Sequence, residues 1–87
     1  MNFTLSETLL EKIRHRDEEA FRMLMQQTRS FAWESVYRLV RNREDTLDIL
    51  QEAYIKVWNG IGGYDSASSF QAWFRRILRN QAIDWWR

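Results

Sequence analysis

The sequence predicts an all-α fold, a compact bundle of about four helices with one Gly-containing loop before the last helix. Three observations lead there. The 87 residues contain no proline, and the three glycines, Gly60, Gly62 and Gly63, stand together, so the chain is punctuated at one place only. Apolar residues recur at helical spacing on both sides of that place. Residues suited to capping a helix N-terminus precede the apolar runs, and no internal repeat or low-complexity segment interrupts them.

The first helix starts after Thr4 or Ser6, carries Leu9, Leu10 and Ile13, and ends near His15. Asp17 then serves as an N-cap, because its carboxylate accepts from the free amides of the next turn. Phe21, Leu24, Met25, Thr28, Phe31, Ala32, Ser35, Val36, Leu39 and Val40 keep helical spacing as far as Asn42, giving a second helix of about 25 residues. Small Ala32 and Ser35 lie mid-stripe, where another helix has room to approach. Asn42 with Asp45 reads as a variant capping box for a third helix, whose inward stripe is Leu47, Leu50, Tyr54, Val57, Trp58 and Ile61. Ser68 with Gln71 is a regular S-x-x-Q box for the fourth, which buries Phe70, Trp73, Phe74, Ile77, Leu78 and Trp85.

One domain of this size has a modest core, and five Trp, five Phe and three Tyr enlarge what it can bury. The absence of cysteine excludes disulfides, thiolate metal sites and a cysteine nucleophile. No apolar run approaches the roughly 18 residues that span a bilayer, and no signal pattern opens the chain. A cytoplasmic protein without membrane insertion is expected. The net charge of +1 is uninformative, but its distribution is not. Residues 43–61 set Arg43 and Lys56 against Glu44, Asp45, Asp48 and Glu52, a balance of −2. Residues 62–87 set four arginines against Asp65 and Asp84, a balance of +2.

Those two regions present different chemistry outward. On the third helix Asp48, Gln51, Glu52, Ile55 and Asn59 share the side opposite the inward stripe. A solvated polar face is one reading. An apolar Ile55 ringed by carboxylates and amides is also what a protein interface with a polar rim looks like. On the fourth helix Arg76, Asn80 and Arg87 form one stripe, and Arg75, Arg79 and Trp86 a second. Arginine pairs with phosphate through a fixed fork and stacks on bases, and asparagine can both donate to and accept from a base edge. The plain alternative is a basic solubilising surface near a helix C-terminus. Trp86 offers either a stacking ring or a patch for a further segment.

The loop Gly60–Ala67 matches neither a phosphate-binding loop nor a dinucleotide fingerprint, so no cofactor is expected. It is either a plain connector or a place where glycines let backbone approach a ligand beside Tyr64, Asp65 and Ser66. Catalysis has no candidate. His15 reads as a solvated helix-end residue, Asp17, Glu18 and Glu19 as helix N-terminal acids, and no metal-ligand spacing occurs. Neither an enzyme nor a small-molecule substrate is expected.

The string Asp48-x-x-Gln51-Glu52-x-Tyr54-x-x-x-Trp58, the glycine loop, and Phe70-x-x-Trp73-Phe74-x-Arg76-Ile77-x-x-Asn80-x-x-x-Asp84-x-x-Arg87 together resemble region 2 of sigma-70-type transcription initiation factors. The likeness is greatest to the small extracytoplasmic-function class. It extends over residues 5–87, including the run Arg16 to Phe21, where that class often has glycine at the position of Arg16. The resemblance implies that residues 1–87 form a region 2 domain, with the −35-reading region 4 absent, so that the chain is an excised domain. It implies that Asp48, Gln51, Glu52, Ile55 and Trp58 dock on the clamp helices of the core RNA polymerase β′ subunit. It also implies that the loop from Tyr64 through Asp65, Ser66 and Ala67 to Ser68 captures a flipped non-template base of the promoter −10 element. Lys56, Gly60, Arg76, Asn80 and Asp84 would line the single-stranded path, with Arg75 and Arg79 as phosphate contacts. Asp84, an anion on that side, must accept from a base amine or stand clear of phosphate. Strand separation would then be driven by trapping the unpaired strand. An anti-sigma factor is a further implied partner. The competing reading is a sigma-like helical adaptor that binds polymerase or an anti-sigma factor without reading DNA, which has no need of the Arg76/Asn80 stripe.

Overall fold

The computed structural model describes residue 3, residues 5–64 and residues 69–86. Among these the chain forms four α-helices and no strand: α1 (Glu7–Arg14), α2 (Glu18–Val40), α3 (Arg43–Gly60) and α4 (Phe70–Trp86), with a 3-10 turn at Ile61–Gly63. α2, α3 and α4 pack on one another, and α1 lies across α2 and the 3-10 turn. At about 1.5 Å per residue, 23-residue α2 accounts for the 34 Å long axis of the molecule.

The helix starts follow the local chemistry of the sequence. Ser6 Oγ accepts from the Leu9 amide at 3.0 Å, Asp17 Oδ1 from Ala20 at 3.1 Å, and Asn42 Oδ1 from Asp45 at 2.9 Å. For α4 the cap is Ser69, whose Oγ accepts from the Ala72 amide at 3.3 Å. The cap expected at Ser68 falls outside the described residues. The helix ends are less legible. α1 ends at Arg14, two residues before Arg16, and α2 is capped by Arg41; the φ angles of Arg16 and Arg41, 65° and 56°, are left-handed. A side chain there costs about 1–2 kcal/mol.

Phe74 is the hub of the core. Fully buried, it meets the rings of Phe31, Tyr54 and Phe70 with centroids 5.5–6.1 Å apart. Around it Leu24, Ala32, Val36, Ala53, Val57 and Leu78 close the space between the three long helices. Ala32 is fully buried, as its size and position led us to expect, whereas Ser35 is half-buried with its hydroxyl donating to the Phe31 carbonyl at 2.8 Å.

Three apolar residues assigned inward are exposed: Leu39, Leu47 and Trp85. On α3 the inward line is Thr46, Ile49, Leu50, Ala53 and Val57, rotated by one residue from the expected stripe. Thr46 takes the inward place because its hydroxyl is satisfied locally, donating to the Asn42 carbonyl at 2.7 Å. Near the end of α4 the inward position goes to Ala82, and Trp85 turns aside. Leu39 lies with Val40, Ala82, Ile83 and Trp86 along an open apolar groove.

One polar pair is built into this core. Thr28 Oγ1 donates to the Leu24 carbonyl at 2.9 Å and meets Tyr54 Oη at 2.7 Å, so the phenol hydrogen goes to Thr28. Burial pushes the Tyr54 phenol above its ordinary value of 10.0, and its hydrogen bond with Thr28 and the charge of Arg29 offset only part of this. The folded state therefore holds that proton more tightly than the unfolded chain, and stability should fall as pH rises above 10. Tyr54→Phe should abolish that fall while lowering stability near neutral pH by about 1 kcal/mol. Urea midpoints of both proteins between about pH 8 and 11 check this; parallel curves would place the alkaline sensitivity elsewhere.

Candidate protein and nucleic-acid interfaces

The 3.6-residue repeat of α3 brings Asp48, Gln51, Glu52, Ile55 and Asn59 to its outer side, all exposed. Ile55 is 47% exposed, and Leu47 at the edge of the same side adds a second apolar group that the sequence pattern misassigned. Among the described residues the ion pairs join Glu11 to Arg14 and His15, and Glu19 to Arg22. The carboxylates of Asp48 and Glu52 are thus uncommitted within the fold. Trp58 is half-buried at the end of this side, its ring against Phe21 at 5.0 Å and under the guanidinium of Arg16 at 4.9 Å.

The second face lies on α4. Arg76, Asn80 and Asp84 follow one another at i, i+4 and i+8, with Arg75 and Arg79 beside them, and all five are exposed. Arg75 is partly engaged, its guanidinium 5.2 Å from the centroid of Phe31. Trp86 is 76% exposed. Arg87 lies outside the described residues, as do Asp65, Ser66, Ala67 and Ser68. Lys56 is exposed on α3, one turn before Gly60, and a Cβ on Gly60 would stand 3.6 Å from the Trp73 indole. That is an ordinary contact distance, so the approach of α3 to Trp73 does not require glycine there, and no glycine uses a positive φ. Gly60 ends α3, and Gly62 and Gly63 lie in the 3-10 turn that begins the connection to α4.

Tyr64 is the one described residue of the segment expected to capture a base. Its ring is buried, packed on Phe70 and Trp73 at 5.6 and 5.2 Å and beneath Arg14, whose guanidinium donates to the Tyr64 carbonyl at 3.4 Å. The ring is core, and it pins the start of the loop. Trp73, half-buried between Tyr64, Phe70 and Gly60, is likewise part of the packing. No cluster of metal-ligating side chains occurs among the described residues, and no helix there is long and apolar enough to cross a membrane.

The described residues form an all-helical bundle with an acidic, apolar-centred face on one helix and an arginine–asparagine face on another. Sigma-70 region 2 matches residues 24–87. The chain is 34% identical over 70 residues to the ECF RNA polymerase sigma factor SigX of Bacillus subtilis (strain 168), covering 80% of this chain and 36% of that protein. It is 33% identical over 79 residues to the ECF RNA polymerase sigma factor SigK of Mycobacterium sp. (strain KMS), covering 90% and 41%. Among solved structures it superposes with a TM-score of 0.85 and 29% identity on an engineered region 2 of sigmaE in complex with GTAAAA, covering 98% of this chain and 90% of that one. The chain belongs to the sigma-70 region 2 family, and the relatives named above are ECF sigma factors. It spans about two fifths of the length of the curated relatives it matches.

Proposed function

We propose that this domain binds core RNA polymerase through α3 and recognises the promoter −10 element through α4 and the loop before it. The observation that carries the reading is the separation of the two faces, in a fold whose sigmaE counterpart is in complex with GTAAAA. Asp48, Gln51, Glu52, Ile55 and Trp58 dock on the β′ clamp helices, with Ile55 as the apolar centre and the carboxylates as its rim. Arg75, Arg76 and Arg79 hold the backbone of a single strand, and Lys56 and Gly60 border its path. Asn80 and residues 65–68 select the base. Tyr64, whose ring is buried, anchors that segment.

Capture of a flipped base costs a few kcal/mol of unstacking, offset by pocket contacts and by phosphate pairing with the release of counterions. Melting is then the trapping of an opened strand and requires no chemistry from the protein. An anti-sigma factor belongs among the partners on family grounds.

The test is binding of wild type, Arg79→Ala and an exchange of residues 65–68 to single-stranded oligonucleotides of varied sequence at several salt concentrations. Arg79→Ala should weaken all sequences alike and shallow the salt slope by about 0.7. The loop exchange should change which sequence is preferred and leave the slope nearly intact, because a buried pocket penalises the wrong base edge. A loop exchange that lowers affinity uniformly would remove base capture and put the non-reading adaptor ahead.

A further inference from the structure

The last turn of α3 carries no basic residue of its own. Its final carbonyls have no donor within the helix, and the negative end of the helix dipole lies there. One of them, the Trp58 carbonyl, accepts a hydrogen bond from the guanidinium of Arg16, 42 residues earlier in the chain. The same guanidinium lies 4.9 Å from the centroid of the Trp58 ring, which rests edge-on against Phe21 on another side. Arg16 reaches this place from the α1–α2 turn with a φ of 65°, a conformation unfavourable to any residue with a Cβ.

We propose that Arg16 is a positioning residue for the docking face of α3. It holds Trp58 by ring and carbonyl at once, and supplies from another element the positive charge that the end of α3 lacks. Trp58 is thereby set one turn beyond Ile55, at the end of the face that meets the polymerase. The proposal rests on the reading of α3 as the polymerase-docking helix. A lysine would not replace Arg16, because the planar fork stacks on the indole while it donates in its own plane.

Glycine at position 16 separates docking from folding. It suits the left-handed backbone, so it relieves strain while removing the guanidinium, and the two effects oppose each other in stability. They do not oppose each other in docking. The 87-residue domain, with Arg16→Gly, Arg16→Lys and Ile55→Lys, would be titrated with a fragment carrying the β′ clamp helices. Melting temperatures and the NMR signals of the arginine δ protons and the Trp58 indole would be recorded alongside.

Arg16→Gly should bind about three- to tenfold more weakly with a melting temperature unchanged or raised, and Arg16→Lys should not recover wild-type affinity. In wild type the Arg16 δ protons should be shifted upfield by the indole. Wild-type affinity in Arg16→Gly, with affinity lost in Ile55→Lys, overturns the positioning role and leaves the docking face standing. Wild-type affinity in Ile55→Lys overturns the docking face, and the positioning role with it; the NMR signals then decide whether the Arg16–Trp58 contact itself exists. A melting temperature that falls in step with affinity makes Arg16 a fold stabiliser only.

Discussion

Phe74→Ala should lower the stability of the domain by about 3–5 kcal/mol. The side chain is fully buried and touches rings from α2, α3 and α4, so its removal leaves a space that no single helix can close by shifting. A domain of this size has roughly 5–10 kcal/mol in total, so the variant should lose between about a third and all of its stability. Urea denaturation followed by helical circular dichroism measures the loss. Trp73→Ala, at a half-buried ring, should cost less. If Phe74→Ala cost under about 1 kcal/mol, Phe74 would not be the hub described here. A folded Trp73→Ala protein that had lost only DNA binding would turn Trp73 from packing into a base platform.

Ile55→Lys should weaken binding to a β′ clamp fragment by about 1–3 kcal/mol, the range for an apolar anchor within a polar rim. Because Ile55 is 47% exposed, the same substitution should change folding stability by no more than about 0.5 kcal/mol. Gln51→Ala and Glu52→Ala should act in the same direction. Isothermal titration of each variant, with helical content recorded in parallel, makes the comparison. Normal binding by Ile55→Lys at unchanged fold would show that the polymerase meets some other surface.

Features governed by chemistry within one turn were legible in the sequence. Ser6, Asp17 and Asn42 cap their helices because a short acceptor side chain reaches an amide two or three residues ahead, whatever the rest of the fold does. Ile55 was legible as an exposed apolar residue because it lies opposite the inward stripe of its own helix. Position across helices was less legible. Leu39, Leu47 and Trp85 are apolar and in phase, but phase fixes a side to within about one residue, or 100°, and a neighbouring helix decides which edge is covered. Ser68 and Ser69 are adjacent and chemically equal, so pattern alone cannot choose the cap. Tyr64 and Arg16 depend on partners far along the chain, Arg14 and Trp58, whose approach no local spacing announces.

Tyr64 is sunk in the core, and Ser69 caps α4. The four residues between them are thus bounded on one side by a ring held in the core and on the other by a helix cap. Under the proposed function, the part of the domain that chooses a base is strung between two fixed points of the fold. Changes at 64 or 69 act on the bundle directly, through a buried ring and a helix start. Divergent promoter preferences can then arise within one fold by altering four positions, each variant inheriting the same core and the same polymerase-facing helix. The architecture makes new specificities cheap to explore and leaves the machinery they are mounted on unchanged.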